Sequence, residues 1–458
     1  MQLKRSLNKL LDSMGTNHKN IYYFIGIGGV GMSALASLCL EEGHQVYGYD
    51  RTPSEITNQL IQNGIEIRFD SSLSALQDFL LSNTVEVVYS AAIPESHPQL
   101  IFYKKQGNKL TKRAKFLANL CDGKKTLAIA GTHGKTTTSS ILTHIFDKTN
   151  QSFTSIMGGF FNNTFSNFFK NGSEVFIVEA DEYDRSFLHL RPTLACITSL
   201  DPDHLDIYKT KTAFVDAFIQ FSEQVNQDLI VAHGLPISGY TYGIEVEADY
   251  KAFNIKKSER GYHFDLTTPN EKFKNIYLNL IGTHNLSNSL AAIAMADQFG
   301  LNTENVVSVL KNFPGVYRRM NVYKWDDKII IDDYAHHPVE IEGVFKTIKS
   351  FYPKQKSCVV FQPHLFSRTR DLMKDFITVL SKFDEVILMD IYPAREKPIK
   401  GINVKSLLDG ISHKRKRYIQ KNEIQMIFKT SKANIFALLG AGDIGFEIQQ
   451  LKSKFVTI

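Results

Sequence analysis

The run AGTHGKTTT, residues 130–138, has the composition of a phosphate-binding loop. It follows an apolar strand pattern and opens a helical pattern, so its glycines can turn backbone N–H groups toward an anion at a helix N-terminus. Lys135 is placed to neutralise the β- and γ-phosphates, and the Thr136 hydroxyl to bind Mg²⁺. The strict phosphate-loop pattern has a glycine where Ile129 stands, so this loop is a shorter variant. The predicted contacts to a nucleoside triphosphate are Gly131, Thr132, His133, Gly134, Lys135, Thr136 and Thr137.

A second glycine loop, GIGGVG at residues 26–31, also lies between a strand pattern and a helix pattern. Asp50 ends the next strand, about 20 residues on, where an acidic group binds a ribose hydroxyl in dinucleotide-binding folds. Alone, this loop indicates a nicotinamide or flavin dehydrogenase. Together with the phosphate loop, it favours a reaction between a nucleotide-linked substrate and a nucleoside triphosphate, although a role in the fold alone stays open. The candidate contacts are Gly26, Gly28, Gly29, Gly31 and Asp50.

Acidic residues follow two strands of the middle segment. Glu179 ends the strand VFIVE, residues 175–179, and His204 follows the strand LACIT in the run DPDHLD. The carboxyl ends of parallel strands line the ligand crevice of an α/β sheet. Carboxylate oxygens suit Mg²⁺, and a neutral imidazole can join a second site, so we predict that Glu179 and His204 join Thr136 as metal ligands. The alternative for the acidic residues around His204 is a helix cap.

Three further sequence motifs contain amide, histidine or arginine side chains that could bind a ligand. GTHNLSN, residues 282–288, precedes an alanine-rich helix, and its amides both donate and accept, as recognition of an adenine edge requires. DDYAHHP (332–338) and QPHLFSRTR (362–370) each follow an apolar strand. Forked, always charged arginines suit carboxylates and transferring phosphoryl groups. These runs, with Arg318 and Arg319, predict a second half of the site at successive strand ends.

Strand and helix patterns alternate along the whole chain, which predicts an α/β fold with parallel sheets. The main strands are predicted at 21–25, 45–49, 85–89, 125–130, 175–179, 194–198, 328–331, 358–361, 385–389 and 435–439. Helices are predicted at 32–42, after the phosphate loop to about residue 147, and at 338–350 and 369–383. We place domain boundaries near residues 123 and 314, which gives segments 1–123, 124–314 and 315–458.

Length and composition agree with this organisation. A chain of 458 residues fits about three domains, and 43% apolar with 22% charged residues excludes a disordered or fibrous protein. The net charge of +6 comes without a basic stripe, since the densest basic run, 413–417, is typical of a solvated surface, so we expect no nucleic-acid partner. Four scattered cysteines argue against a zinc cluster or a disulfide framework. We expect no membrane span, a short amphipathic surface arm at residues 1–15, and a cytoplasmic location.

In this order, the motifs resemble the Mur ligase family across essentially the whole chain. They are GIGGVGMSALA, AGTHGKTTT, VEADEYDRSF, DPDHLDIY, GTHNLSNSLAA, DDYAHHP, FQPHLFSRTRD and GAGD. The resemblance implies a Rossmann-like domain (1–123) that binds the UDP part of a substrate and a central P-loop ATPase-type domain (124–314). A Rossmann-like C-terminal domain (315–458) would close over the site.

The motifs are most similar to the branch of the family that acts in peptidoglycan precursor synthesis by joining L-alanine to the carboxylate of UDP-N-acetylmuramate. The resemblance implies that ATP and Mg²⁺ drive this ligation through an acyl-phosphate. Gly28, Gly29 and Gly31 would cradle the UDP diphosphate, and Lys135 would act in catalysis at the ATP phosphates. The other roles that the resemblance implies are adenine recognition by Asn285 and Asn288, nucleotide contacts by Arg319 and Asp333, and an amino-acid and acyl-phosphate site at His336, Arg368 and Arg370.

Three positions depart from the family pattern. Leu365 stands where the family commonly has arginine, and Tyr183 and Arg185 stand where it commonly has serine and glycine. These departures concern contacts that orient the substrate rather than ATP binding. The alternative within the family is the recycling branch that adds a preformed tripeptide to the same nucleotide sugar. The motifs leave open the oligomeric state, feedback control and the choice among alanine, serine and glycine.

Overall fold

A computed structural model of the chain describes residues 19–203, 205–394, 396–412 and 415–457. The predicted N-terminal arm, His204 and the first two residues of the basic run 413–417 lie outside this part of the chain. Residues 19–124 form one compact unit with Thr154–Gly158 and Asn167–Phe176, and the remaining described residues form a second. In the part of the chain that the structure describes, no helix has the length and apolar character needed to cross a membrane.

The first unit is a parallel sheet with helices around it. Its strands lie in the order Glu66–Arg68, Gln45–Tyr49, Ile21–Ile25, Glu86–Tyr89 and Leu110–Lys112. Its helices are Val30–Glu41, Glu55–Gln62, Pro98–Gln106 and Arg113–Cys121. Because Tyr23, Phe24 and Ile25 in the central strand are all fully buried, both faces of the sheet are covered, as parallel sheets require. A hairpin of Thr154–Ile156 and Phe168–Lys170 completes the unit.

The second unit begins with the central sheet. From one edge, the strands of this sheet in the second unit are Lys272–Leu278, Gly261–Thr267, Tyr250–Ser258, Tyr240–Ile244, Leu229–Ala232, Leu194–Ile197, Lys125–Ala130 and Val175–Glu179. Pairing is parallel from Lys125–Ala130 out to Tyr250–Ser258, and the last two strands at that edge are antiparallel. The helices of this part are Lys135–Lys148, Leu205–Tyr208, Lys211–Ser222, Thr283–Gln298 and Thr303–Val309. Lys135–Lys148 is buried continuously from Thr136 to Phe146, so it lies inside the molecule rather than on its surface.

The third sheet follows the linker around Gly315. Its strands lie in the order Lys416–Tyr418, Glu385–Leu388, Ser357–Phe361, Ile435–Leu439, Lys328–Asp333, Asn321–Trp325 and Val456–Thr457. Its helices are Pro338–Phe351, Phe366–Asp371, Met373–Leu380, Val404–Gly410, Ile424–Thr430 and Ile444–Leu451. Alternate residues of one strand enter two separate cores, since Val359 and Phe361 join one cluster while Cys358 and Val360 join the other. A sheet with a core on each face agrees with the α/β fold predicted for this segment.

The structure corrects three details of the predicted elements. The helix expected at 369–383 is two helices that break at Leu372, whose backbone is not helical, and this break lets Leu372 and Met373 pack on the core. The strand expected to end at Ile331 continues to Asp333, because both aspartates still pair with Ile435–Leu439. The sheets are also not purely parallel, since antiparallel strands extend the edges of the central and third sheets.

Candidate active site

The phosphate-binding loop sits where the sequence predicts it, between the strand Lys125–Ala130 and the helix that begins at Lys135. Gly131 and Gly134 have φ angles of +126° and +88°. A Cβ atom at Gly131 would lie 2.2 Å from Thr198 Oγ1, and one at Gly134 would lie 2.4 Å from Asn288 Oδ1. The loop therefore needs glycine at both positions, for its backbone conformation and for the close approach of neighbouring residues.

Lys135 is held in the loop by an acidic residue that the sequence analysis gave no role. Its Nζ donates to Glu182 Oε2 at 2.7 Å and also to the Gly131 carbonyl. Burial alone lowers the pKa of Lys135, but the carboxylates of Glu182 and Asp181 outweigh it and hold that pKa above its usual value. The ammonium is thus a fixed positive charge at the position predicted for phosphate.

Thr136 and Glu179 meet as predicted beside this lysine. Thr136 Oγ1 donates to Glu179 Oε2 at 3.1 Å, and Ser139 Oγ donates to the other carboxylate oxygen at 3.0 Å. Hydroxyl and carboxylate oxygens are the donors that Mg²⁺ prefers, so the pair fits such an ion. Within the described residues, which do not include His204, no group of three or more His, Cys, Asp or Glu side chains forms a metal cluster.

A cavity of about 230 Å³ lies on the side of the loop where adenine recognition was predicted. Its lining includes Asn285, Asn288, Arg319 and Asp333, together with His284. Asn285 Nδ2 donates to the Ile281 carbonyl at 2.8 Å, so that amide group is already engaged. Burial lowers the pKa of His284 to about 4, which keeps this histidine neutral at pH 7. Burial also raises the pKa of Asp333 to about 6, although its carboxylate accepts from two backbone N–H groups.

A second cavity, of about 180 Å³, lies on the phosphate side. Residues 132–137 of the loop line it together with His336, Arg368 and Glu340 from the third sheet. Arg368 is 8% exposed, and its Nη2 lies 3.0 Å from Asp203 Oδ2. Burial lowers the pKa of His336 to about 4, so its imidazole is neutral. Side chains from the central and third sheets thus meet around one cavity.

Arg370 is placed differently from the other predicted residues of this group. Its side chain is 52% exposed, and Nε donates to the adjacent Asp371 at 2.7 Å. Arg370 is not among the residues that line either cavity at the loop. Its role in the amino-acid site stays a prediction.

The first glycine loop, in the other unit, is stabilised by its own surroundings. Gly28 N donates to Asp50 Oδ2 at 2.8 Å, and a Cβ at Gly28 would lie 2.9 Å from that oxygen. A Cβ at Gly31 would lie 2.9 Å from a guanidinium nitrogen of Arg113, a residue that the sequence analysis did not single out. At Gly29 the nearest atom would be 3.5 Å away, an ordinary contact distance, so a Cβ atom fits at this glycine. Asp50 therefore bonds the loop itself in this structure.

Two of the three departures from the family pattern have a left-handed backbone. Leu365 has φ of +72° and Arg185 has φ of +54°, both unusual for side chains of this size. The Arg185 guanidinium lies 5.2 Å from the centre of the Tyr208 ring. Such conformations cost free energy and persist only where the surrounding structure imposes them.

Glu182 and Glu340 are the acidic residues at the loop that the sequence analysis missed. Glu182 stands three residues beyond Glu179, the last residue of the strand Val175–Glu179. Glu340 stands three residues after His337 with Pro338 between them, which is a helix-start signal. That signal predicts the helix N-terminus but not the bond that Glu340 makes to a residue 207 positions away.

The fold and site define a phosphate-loop α/β enzyme with a second, glycine-loop unit. Sequence profiles of the Mur ligase family match three parts of the chain: the catalytic domain at residues 21–125, the middle domain at 129–296 and the glutamate ligase domain at 318–443. The chain belongs to the Mur ligase family.

Individual relatives agree with this assignment. The chain is 46% identical to a UDP-N-acetylmuramate–L-alanine ligase of Christiangramia forsetii over 441 residues, 95% of this chain and 98% of that protein. The crystal structure of UDP-N-acetylmuramate-alanine ligase from Thermotoga maritima matches with a TM-score of 0.82 at 26% identity, over 95% of this chain and 99% of that one. A murein peptide ligase from Psychrobacter arcticus shares the fold with a TM-score of 0.70 at 21% identity, over 95% and 98% of the two chains.

Proposed function

We propose that the chain is an ATP-dependent ligase that joins L-alanine to the carboxylate of UDP-N-acetylmuramate, in peptidoglycan precursor synthesis in the cytoplasm. The observation that carries the proposal is the cavity of about 180 Å³ that the phosphate loop lines together with His336 and Arg368. The relative that is 46% identical over nearly its whole length carries the name of this activity.

The reaction needs a carboxylate to become an electrophile. One carboxylate oxygen of the sugar attacks the γ-phosphorus of ATP, the bond to the β-phosphate oxygen breaks, and ADP leaves. The α-amine of alanine then attacks the acyl carbon, loses a proton and expels phosphate. Two anions must approach each other in the first step, so fixed positive charge around them lowers the barrier.

The residues of the cavity suit this charge distribution. The Lys135 ammonium faces the predicted β- and γ-phosphates, and exchanging Glu182 for phosphate oxygens keeps it paired. Thr136 and Glu179 would hold Mg²⁺, with His204 as the further predicted ligand, and the ion would offset phosphate charge. Arg368 provides a forked cation for the acyl-phosphate or the amino-acid carboxylate.

His336 is suited to a different task. Its Nδ1 lies 3.0 Å from the Tyr334 carbonyl, and because a carbonyl only accepts, Nδ1 carries the hydrogen. Nε2 of the neutral ring is then an acceptor, able to orient the incoming amine. Arg370, at the exposed end of the same helix as Arg368, is retained as a further candidate of this group.

We also propose that the three segments act as separate domains, with boundaries near residues 123 and 314. The first would bind the UDP-sugar diphosphate at Gly28, Gly29 and Gly31. The second would bind ATP, with Asn285, Asn288, Arg319 and Asp333 on the adenine and ribose side. The third would close over the phosphate loop and exclude water from the acyl-phosphate.

The test is phosphate release from ATP with UDP-N-acetylmuramate and Mg²⁺, with L-alanine, L-serine, glycine or the tripeptide added in turn. We expect L-alanine to give the fastest release, with the alanyl nucleotide detected by mass spectrometry. Release with the tripeptide alone would establish the recycling ligase instead. The name of the relative that is 46% identical over 95% of this chain supports the alanine-adding activity.

A further inference from the structure

We propose that Glu340 is a positioning residue that aligns the phosphate loop with the third domain through His133. The inference rests on the proposed function, because the alignment matters only if both sides act on one substrate. Glu340 lines both cavities at the loop, as does His133.

One carboxylate oxygen of Glu340 organises its own end of the third sheet. Glu340 is the third residue of the helix Pro338–Phe351, and Oε2 accepts from the backbone N–H groups of His336 at 2.8 Å and His337 at 3.1 Å. These bonds fix the loop that carries His336 into the phosphate-side cavity. A helix-capping role is complete with this one oxygen.

The other carboxylate oxygen of Glu340, Oε1, contacts a residue outside the third sheet. Oε1 lies 3.1 Å from Nδ1 of His133, in the middle of the phosphate loop. The His133 backbone is already fixed within the central sheet, where its N–H donates to Ser199 Oγ at 2.8 Å. The bond from its ring to Glu340 is therefore an addition to the fold of the loop, and it depends on where the third sheet lies.

Charge makes this contact more than a packing contact. Both side chains are largely buried, at 17% and 16% exposure, where an unpaired carboxylate is costly. Burial lowers the pKa of His133, but Glu340 overcomes this effect and the net pKa is raised. Burial opposes ionisation of Glu340, but the hydrogen bond and charge of His133, with the charge of Arg319, hold the pKa of Glu340 well below its usual value. An imidazolium facing a carboxylate is the arrangement that these two directions favour.

One carboxylate therefore ties His336 on the amino-acid side to the loop that carries Lys135. If the third domain withdraws, Oε1 loses His133 while Oε2 keeps its cap. Glu340 thus links closure to the alignment of the two halves, on which near-attack geometry depends. The expected signature is a loss of kcat with little change in KM.

The test uses Glu340→Gln in the full chain. Glutamine keeps one oxygen for the cap but places an uncharged amide opposite His133. We expect kcat to fall about tenfold, with KM for ATP and for UDP-N-acetylmuramate within about threefold of wild type. The thermal midpoint should stay within a few degrees of wild type because the cap is retained. Glu342→Gln is the matched control, since Glu342 lies on the same helix but pairs with Lys346 and Lys382.

His133→Asn tests the same contact from the other side and leaves the Glu340 cap untouched. It should lower kcat to a similar degree, and the double variant should be no slower than the slower single variant, because both changes remove one interaction. Wild-type kcat in Glu340→Gln, or single losses that multiply in the double variant, would overturn the inference. An inactive wild-type enzyme would instead overturn the proposed function.

Discussion

The two glycine loops have the same strand–loop–helix order, but different side chains contact them. Each follows a buried parallel strand and opens a helix, and each needs glycine because side chains approach closely. At the first loop, Asp50 bonds the backbone and a Cβ atom fits at Gly29. At the second loop, the lysine and threonine that follow the glycines pair with Glu182 and Glu179. The strand–loop–helix order is therefore shared, whereas the backbone at the helix start differs, with φ of −66° at Gly29 and +88° at Gly134, and so do the side chains that bond each loop.

The largest effect should come from the charge of the second loop. Lys135→Ala removes the cation that we propose to face the β- and γ-phosphates, and we expect turnover to fall at least about 100-fold. Binding of UDP-N-acetylmuramate should stay near wild type, since we propose that the first loop binds it. Lys148→Ala is the control, at the exposed end of the same helix. Near wild-type turnover in Lys135→Ala would remove the lysine from the reaction.

The next largest effect should come from Mg²⁺, which ATP turnover at the second loop should require and UDP-N-acetylmuramate binding at the first loop should not. Glu179→Gln weakens the oxygen pair with Thr136, so turnover should fall about 50-fold and require more Mg²⁺. Chelation with EDTA should abolish ATP turnover in the wild type but leave UDP-N-acetylmuramate binding unchanged by calorimetry. If chelation weakened the sugar nucleotide equally, the division between the loops would be wrong.

The buried histidine of the central site, His284, should make the free energy of unfolding depend on pH. The pKa of His284 is about 4 in the folded chain because of burial, against about 6.5 when exposed. Between these values the unfolded chain binds a proton that the folded chain does not. Protonation of His284 therefore does not lower the free energy of unfolding above pH 6.5. As pH falls toward 4 the free energy of unfolding decreases, by about 2 kcal/mol at pH 5.

The measurement is urea unfolding of wild type and His284→Asn at pH 5 and pH 7.5. The wild type should lose more unfolding free energy than the variant between the two pH values. Equal losses would show that His284 does not contribute. His263→Asn is a suitable control, because that histidine lies on an exposed part of the central sheet.

The smallest effect should come from Asp50. Asp50→Ala removes the acceptor of the Gly28 N–H group, and we expect UDP-N-acetylmuramate to bind about fivefold more weakly, about 1 kcal/mol, with ATP unaffected. Asp70→Ala, which removes an exposed turn contact in the same unit, is the control. Sugar-nucleotide affinity equal to wild type would mean that the bond to Gly28 does not shape the cradle.

Local sequence patterns predict the strands of this structure and the residues at their ends. The strands Ile21–Ile25, Lys125–Ala130 and Ile435–Leu439 have their predicted bounds, because apolar runs between glycine and polar residues specify buried strands. The α/β fold with three sheets is confirmed. Strand ends also indicated that Glu179 would face Thr136, since the crevice position follows from parallel topology.

The remaining features depend on contacts between distant parts of the chain. Nothing local in the helix-start signal at Glu340 specifies His133 as a partner, and nothing near Gly31 specifies Arg113. The break at Leu372 has the same origin, because the helical pattern of residues 369–383 continues through it while core packing interrupts it. Sequence patterns identify the elements and the strand ends, whereas tertiary packing decides which side chains pair.

Calorimetry of Gly29→Val with each nucleotide tests most directly whether the first loop binds UDP-N-acetylmuramate and the second binds ATP. The φ of Gly29 is −66°, so valine fits the backbone, and its side chain would fill the space that this glycine leaves. We expect UDP-N-acetylmuramate affinity to fall about tenfold or more while ATP affinity stays near wild type. Unchanged UDP-N-acetylmuramate affinity in the variant, or wild-type protein that binds NADH tightly and the sugar nucleotide not at all, would contradict this assignment of the loops.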